Sequence, residues 1–276
     1  MRATLNGTRG SVGRAGPTTV RYGGDTSSVE VTNEGGSTLI LDAGSGIVHS
    51  GSTPESSGRI DILLTHLHMD HIQGLGFFAP LFEPDVHVHI WGPISTTTPL
   101  IGRLGRYLSP PLFPVHLRDL PSVSIHDLAP GTVDIGPFTV KAEPVIHPGQ
   151  TYGYRVEAEG RSIAYLPDHE PALGSGVIAG HPAWTSGYDL AEGVDVLIHD
   201  TQYTPSEYAS RIGWGHSTLR HAVDFADLAG VGRLITFHHD PNHSDEEIDA
   251  HHREVRMESA SGAQFEAGVA GLDVLV

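Results

Sequence analysis

Thr65-His66-Leu67-His68-Met69-Asp70-His71 follows directly on the run 60–65, which is apolar enough to be a strand buried on both faces. In an extended chain His66 and His68 project to the same side, because side chains repeat every two residues. A turn into a helix then brings Asp70 and His71 into the same space. Three imidazoles and one carboxylate within six residues combine borderline-soft and hard ligands. That mixture suits Zn2+, with Mn2+ or Fe2+ as alternatives. A polar surface turn in a histidine-rich chain is the competing reading, and ligand spacing directly after a buried strand outweighs it.

Composition sets the limits around this segment. The chain has 276 residues, 38% of them hydrophobic, which suits a globular protein with a sizeable core. Lys and Arg total 16 against 33 Asp and Glu, a formal charge of −17 that should repel polyanions over long distances. The absence of cysteine excludes disulfides, thiolate metal sites and a cysteine nucleophile. Nineteen histidines remain, and spacing must decide which of them are ligands. No signal-peptide run and no apolar stretch of about 18 residues is present, so a cytoplasmic location and no membrane span are expected.

Further along the chain, strand patterns fall at 37–42, 86–90, 138–145, 152–158, 161–166, 194–199, 232–237 and 272–276. Helical spacing predicts helices over 98–108, 217–229 and 244–258. The second ends at Gly230, and the last opens with a Ser244/Glu247 capping box. Many strands with sparse helices favour a layered α/β architecture. The Gly/Ser/Pro-rich pieces at 50–58 and 171–187 are short enough to be surface loops, so one domain spanning 1–276 is expected.

The segment from His66 to His71 resembles the H-x-H-x-D-H signature of the metallo-β-lactamase superfamily. Other landmarks follow in the family's order: Leu41-Asp42-Ala43-Gly44, His147 in Val145-Ile146-His147-Pro148-Gly149, Asp168 after Pro167, and His238 after the run 234–237. The resemblance extends from Asn6-Gly7-Thr8-Arg9-Gly10 to the last strand. It implies a four-layer αββα sandwich with two divalent metal ions at one edge. On that reading His66, His68 and His147 hold one metal, Asp70, His71 and His238 hold the second, and Asp168 bridges them. His239 competes with its neighbour, and His238 is chosen because it ends the apolar run. Asp42 is expected to fix a ligand or its loop, and Asp70 to assist as a base.

Ile198-His199-Asp200-Thr201 and Gly215-His216-Ser217-Thr218 are similar to the His-Glu-Ala-Thr and Gly-His-Ser/Thr motifs of the superfamily's phosphodiesterases. Those include the tRNA 3′-processing endonucleases and the cyclic-phosphate phosphodiesterase of phosphonate breakdown. The resemblance implies that Asp200 orients His216 and that His216 protonates the leaving group; Asp200 stands where Glu is usual. His216 has the plainer alternative of a residue beside a helix cap. His147 and Asp168 lie only 21 positions apart, with no room for the long basic arm by which the tRNA-processing enzymes grip tRNA.

The expected activity is therefore a metal-dependent phosphodiesterase using a metal-bridging hydroxide on a small cyclic or linear phosphodiester. A hydrolase of a lactone, thioester or β-lactam is the alternative, and a non-catalytic binding protein on the same fold is the third. Expected partners are a small anionic substrate and, as one option, a second copy of the chain in a homodimer. No long nucleic acid is expected. Arg21 is a loose candidate for a substrate contact, with a plain loop role favoured. The strip Gly74-Leu75-Gly76-Phe77-Phe78 is expected to pack the core rather than line an entrance, and Tyr107, Phe113 and Trp214 share that choice.

Overall fold

Two seven-stranded sheets form the interior in the computed structural model, which describes residues 1–50, 58–174, 176–178, 180–258 and 264–276. Most of the loop expected at 50–58, and part of that at 171–187, lies outside the described residues. The strands are β1 (Arg2–Gly7), β2 (Ser28–Thr32), β3 (Thr38–Leu41), β4 (Arg59–Leu63), β5 (His87–Pro93), β6 (Val123–Leu128) and β7 (Gly131–Ile135). They continue with β8 (Phe138–Pro144), β9 (Tyr152–Ala158), β10 (Arg161–Leu166), β11 (Val196–Asp200), β12 (Arg233–Phe237), β13 (Gln264–Ala267) and β14 (Leu272–Leu275). The first sheet runs β14-β1-β2-β3-β4-β5-β6 and the second β13-β12-β11-β10-β9-β8-β7.

The helices are α1 (Met69–Ile72), α2 (Leu100–Leu104), α3 (Tyr188–Ala191), α4 (Pro205–Tyr208), α5 (Leu219–Ala229) and α6 (Asp245–Glu258). None is long and apolar enough to cross a membrane. α5 starts at a capping box between Thr218 and His221 and stops at Gly230, whose φ of +65° suits a residue without a side chain. The Ser244/Glu247 box at the start of α6 also forms. The helix expected at 98–108 is regular only over α2, with Gly102 and Gly105 limiting it.

Three apolar layers hold the sandwich together. Leu39, Leu41, Leu63, Tyr154, Tyr165 and Phe237 belong to the core between the sheets. Ile60, Ile62 and Leu64 point the other way, into a second cluster with Leu75, Phe78, Leu100 and Leu104. A third cluster packs α5 through Ala222, Val223 and Phe225 onto the outer face of the second sheet. The alternation in β4 thus serves both sides, as expected of a doubly buried strand. The architecture is the four-layer αββα sandwich.

Strand direction positions the site. β3, β4 and β5 are parallel neighbours, and so are β10, β11, β12 and β13. Their carboxyl ends meet at one edge of the sandwich, where loops leave the sheets, a usual place for a ligand site in parallel sheets.

Candidate metal centre

Six segments leave strand ends at this edge and converge. Asp42 follows β3, the His66–His71 segment follows β4 and runs into α1, His147 follows β8, Asp168 follows β10, Asp200 ends β11, and His238 follows β12. Ligand atoms of His66, His68, His147 and Asp168 lie within 4.8 Å of one another, as do those of Asp70, His71 and His238. Asp168 stands between the two groups. Its Oδ2 is 3.3 Å from His147 Nε2 and 3.7 Å from His66 Nε2, while its Oδ1 is 3.0 Å from His71 Nε2 and 3.3 Å from His238 Nε2. Each carboxylate oxygen therefore faces a different cluster. All of these side chains are buried except His68, which lies exposed at the mouth.

The ring orientations are fixed from behind. Asp42 is fully buried and adopts φ +59°. It accepts hydrogen bonds from Thr65 N (2.7 Å), Thr65 Oγ1 and Tyr165 OH (3.1 Å), and its Oδ2 lies 2.7 Å from His71 Nδ1. A carboxylate can only accept, so His71 donates from Nδ1 and presents Nε2 to the cluster. Thr65 Oγ1 spends its proton on Asp42 and accepts from His66 Nδ1 at 3.0 Å, with the same result. His147 Nδ1 faces the Pro148 carbonyl at 3.0 Å, which leaves its Nε2 toward Asp168.

Electrostatics favour neutral rings on the first group. Burial, reinforced by neighbouring imidazoles, pushes His66 well below its ordinary value, and burial takes His147 down to about 4. Burial alone would also lower His71, but Asp168, Asp70 and Asp42 outweigh it and hold its pKa well up. Burial alone would raise Asp168, yet His238, His71 and His66 keep it well below the usual carboxylate range.

The donor set fits divalent cations. His66 Nε2 and Asp168 Oδ1 are buried and make no hydrogen bond, a cost of about 1–3 kcal/mol each unless something else satisfies them. His71 Nε2 and His238 Nε2 face each other at 3.4 Å, and no arrangement of protons satisfies every crowded nitrogen and oxygen. Nitrogen and oxygen donors without sulfur suit Zn2+, Mn2+ or Fe2+. The family model described as "Beta-lactamase superfamily domain" matches residues 37–239, which contain the whole cluster.

The chain belongs to the metallo-β-lactamase superfamily.

A ribonuclease Z of Mycobacterium sp. (strain KMS) is 28% identical over 266 residues, covering 87% of this chain and 85% of the relative. Among solved structures, a diphosphatase from the PhnP family superposes with a TM-score of 0.66 at 21% identity, over 100% of this chain and 97% of the other. Zn2+-bound PqqB from Methylobacterium extorquens gives 0.73 at 16% identity, over the full length of both chains. Membership and ligand cluster together make the chain a metal-dependent hydrolase.

A further buried histidine joins the cluster: ligand atoms of Asp168, His216 and His238 also lie within 4.8 Å of one another. His216 Nδ1 lies 2.6 Å from Asp200 Oδ2, and its ring stacks on His238 and meets His147 edge-on. The Asp side chain, one methylene shorter than the Glu usual at that motif, still reaches. Burial opposes charge on His216, but Asp200 outweighs it and pushes the imidazolium up to about 9. Gly215, with φ +90°, is required here, because a Cβ would stand 2.3 Å from His147 Cδ2.

The backbone decides between the two adjacent histidines after β12. His238 adopts φ +58° and turns into the cluster, whereas His239 turns away and places Nε2 3.0 Å from the Gly268 carbonyl. Asp70 Oδ2 accepts from Ser11 N at 2.6 Å and lies 3.2 Å from His238 Nε2. Arg21 is not at the centre. It pairs with Asp249 at 2.5 Å and donates to the Asp245 carbonyl, tying the N-terminal loop to α6. The 74–78 strip divides: Phe78 is buried in the outer core and Phe77 is exposed. Tyr107 is half-buried with its hydroxyl on the Gln73 carbonyl, Phe113 packs against Gly76, and Trp214 is exposed.

Sequence reasoning missed Glu170. This buried carboxylate accepts from Gly213 N, Gly215 N and Tyr208 OH at 2.8–2.9 Å and so clamps the loop that carries His216. An acidic residue two places past Asp168, straight after an apolar strand, was the available signal. Tyr165 and Ser11 were also missed, since a strand tyrosine and a backbone amide leave no motif.

Proposed function

We propose that this protein is a dinuclear-metal phosphodiesterase acting on small cyclic or linear phosphodiesters. The observation that carries the proposal is the Asp200–His216 pair at 2.6 Å beside the ligand cluster. An alkoxide is a poor leaving group and gains from a positioned acid, whereas attack on an activated carbonyl needs one less.

His66, His68 and His147 would hold one ion and Asp70, His71 and His238 the other, with the two oxygens of Asp168 divided between them. Zn2+ is the favoured ion for this donor set. Two such ions, when bound, supply Lewis acidity toward the phosphoryl oxygens and a water activated near neutral pH. The chain's own residues supply orientation and a proton. Asp42 and Thr65 hold His71 and His66 in the ligating tautomer. Asp200 occupies His216 Nδ1, so the proton for the leaving group comes from Nε2. Asp70 is assigned to metal binding alone. Its Oδ2 is engaged by Ser11 and His238, and the surrounding histidines overcome burial to hold it far below the usual carboxylate range, which makes it a weak base.

Substrate size is argued from the hairpin between His147 and Asp168. β9 and β10 are joined through Glu159-Gly160 alone, and that connection offers no arm for gripping tRNA. The relatives are named ribonuclease Z, a name that denotes cleavage of RNA phosphodiesters. The net charge of −17 disfavours their long substrates.

The test is Zn2+-loaded protein assayed on bis-p-nitrophenyl phosphate, 2′,3′-cyclic nucleotides, a 3′-extended tRNA, an aliphatic lactone and nitrocefin. Turnover of the first two with little or none of the tRNA is the expected result. Lactone or nitrocefin turnover without phosphodiester turnover would overturn the proposal.

A further inference from the structure

A groove of about 630 Å3 opens beside the metal centre, along the outer side of the H-x-H-x-D-H segment. Leu67 and Met69, the neighbours of His68 on either side, line it together with Tyr107, Leu112, Arg103 and Arg106. Its size falls within the roughly 300–1,000 Å3 of small-molecule sites. Met69 and Leu112 are 51% and 71% exposed, a large apolar surface to leave in water next to the exposed ligand His68.

The two arginines differ. Arg103 is engaged by Asp127 at 3.3 Å and by the Pro93 carbonyl. Arg106 is exposed, and among the described residues no carboxylate lies within ion-pair distance of its guanidinium; none of the groove's lining residues is acidic. Most arginines of this acidic chain are already paired, as Arg2, Arg9, Arg21, Arg155, Arg161, Arg220 and Arg233 are. A guanidinium without a carboxylate partner in a groove otherwise lined by Leu67, Met69, Ile72, Tyr107 and Leu112 is suited to an anion carried on an apolar body.

We propose that this groove receives the organic substituent of the substrate phosphodiester, and that this substituent is aromatic and bears a second negative charge bound by Arg106. The inference rests on reading the centre as a small-phosphodiester hydrolase. It adds to that reading a preference for phosphodiesters whose aromatic substituent carries a second negative charge. Leu67, Met69 and Leu112 contact the ring system, and Arg106 sets the preference for charge.

The experiment compares two dyes of one skeleton on the metal-loaded full chain: 8-anilinonaphthalene-1-sulfonate and its uncharged parent N-phenyl-1-naphthylamine. Fluorescence titration should show the sulfonate binding about tenfold more tightly, with that preference lost in Arg106→Gln. Leu112→Glu should weaken both dyes at least tenfold, with unchanged circular dichroism. The sulfonate should also raise KM for bis-p-nitrophenyl phosphate without lowering kcat. A sulfonate preference that survives in Arg106→Gln overturns the proposal, as does dye binding that leaves KM unmoved. A fall in sedimentation mass in Leu112→Glu also overturns it, by making the groove a contact between two copies of the chain. If no phosphodiester is hydrolysed at all, the reading of the centre fails, and the dye titration still decides whether the groove binds an aromatic anion through Arg106.

Discussion

Replacing Asp200 by asparagine separates protonation of the leaving group from the other work of the centre. Asp200 Oδ1 accepts from Gln202 N at 2.9 Å and Ser217 N at 3.2 Å, while Oδ2 faces His216 Nδ1 at 2.6 Å. Asparagine can keep the first two bonds with its carbonyl, which turns its NH2 toward His216. Nδ1 must then accept, and the ring becomes neutral. The pKa of His216, pushed from 6.5 to about 9, corresponds to about 3 kcal/mol in favour of the charged ring at 1.36 kcal/mol per pH unit. Losing it removes a general acid whose usual worth is roughly 10²–10⁴-fold. With 2′,3′-cyclic AMP, where an alkoxide departs, kcat should fall about 100- to 1,000-fold. With bis-p-nitrophenyl phosphate, whose leaving group departs without a proton, the fall should stay below about tenfold. The acid form is the active one, so the wild-type rate on the cyclic nucleotide declines as pH rises through the His216 pKa. Cations bound beside the ring place that limb below about 9, and the variant loses the limb. Equal losses on both substrates, with metal content unchanged, would refute the assignment and leave Asp200 a purely structural role.

Three further substitutions probe the scaffold. Asp42→Asn leaves Thr65 and Tyr165 short of an acceptor in a fully buried position. It should cost about 2–4 kcal/mol in urea unfolding and about 10- to 100-fold in Zn2+ affinity by chelator competition. Gly10→Ala would place a Cβ 2.3 Å from His238 Nδ1, so plasma emission analysis should find a reduced zinc content in a protein that remains folded by circular dichroism. Arg9→Met removes a fully buried guanidinium that donates to the carbonyls of Gly23, Asp240 and His243 and lies 3.5 Å from Asp245. About 3–5 kcal/mol of stability should be lost, because the Asp245 charge and three carbonyls stay behind; an unchanged urea midpoint would show the buried network to be dispensable.

What could be read in advance was local or terminal. The histidine segment is legible because alternation in an extended chain fixes which side each imidazole faces, and four residues at this site come from one seven-residue stretch. Asp42, His147, Asp168 and His238 were picked out by the family resemblance and its motif order, and the structure sets each after a strand end; parallel register brings those ends level, with Leu166 opposing His199 and Asp200 opposing Phe237. The strands that escaped notice are β1, β2, β6, β7 and β13. β6, β7 and β13 carry mostly exposed or half-buried residues toward the sheet edges, so their apolar alternation is faint. Glu170 escaped because its role depends on where the 209–216 loop returns, which no local pattern encodes. Arg21 keeps the loop role that was favoured for it, but its partners Asp245 and Asp249 lie more than two hundred residues away and no local pattern announced them.

The charge of −17 and the proposed anionic substrate are reconciled by distance. Asp42, Asp70, Asp168 and Asp200 all lie within about one hydrogen bond of the cluster's histidines, and two divalent cations would offset them. The charged ring of His216 then adds a positive group beside the cluster, and Arg106 adds another in the neighbouring groove. Beyond the Debye length, about 8 Å at physiological salt, surface charges are largely screened. A compact phosphodiester that fits within the mouth meets only the positive near field. A long polyanion would also meet the rest of a chain whose 33 acidic residues outnumber its 16 basic ones, where each further phosphate adds repulsion. On the proposed function, the acidic chain and the cation-binding centre would act as one selection, admitting small anions and turning long ones away.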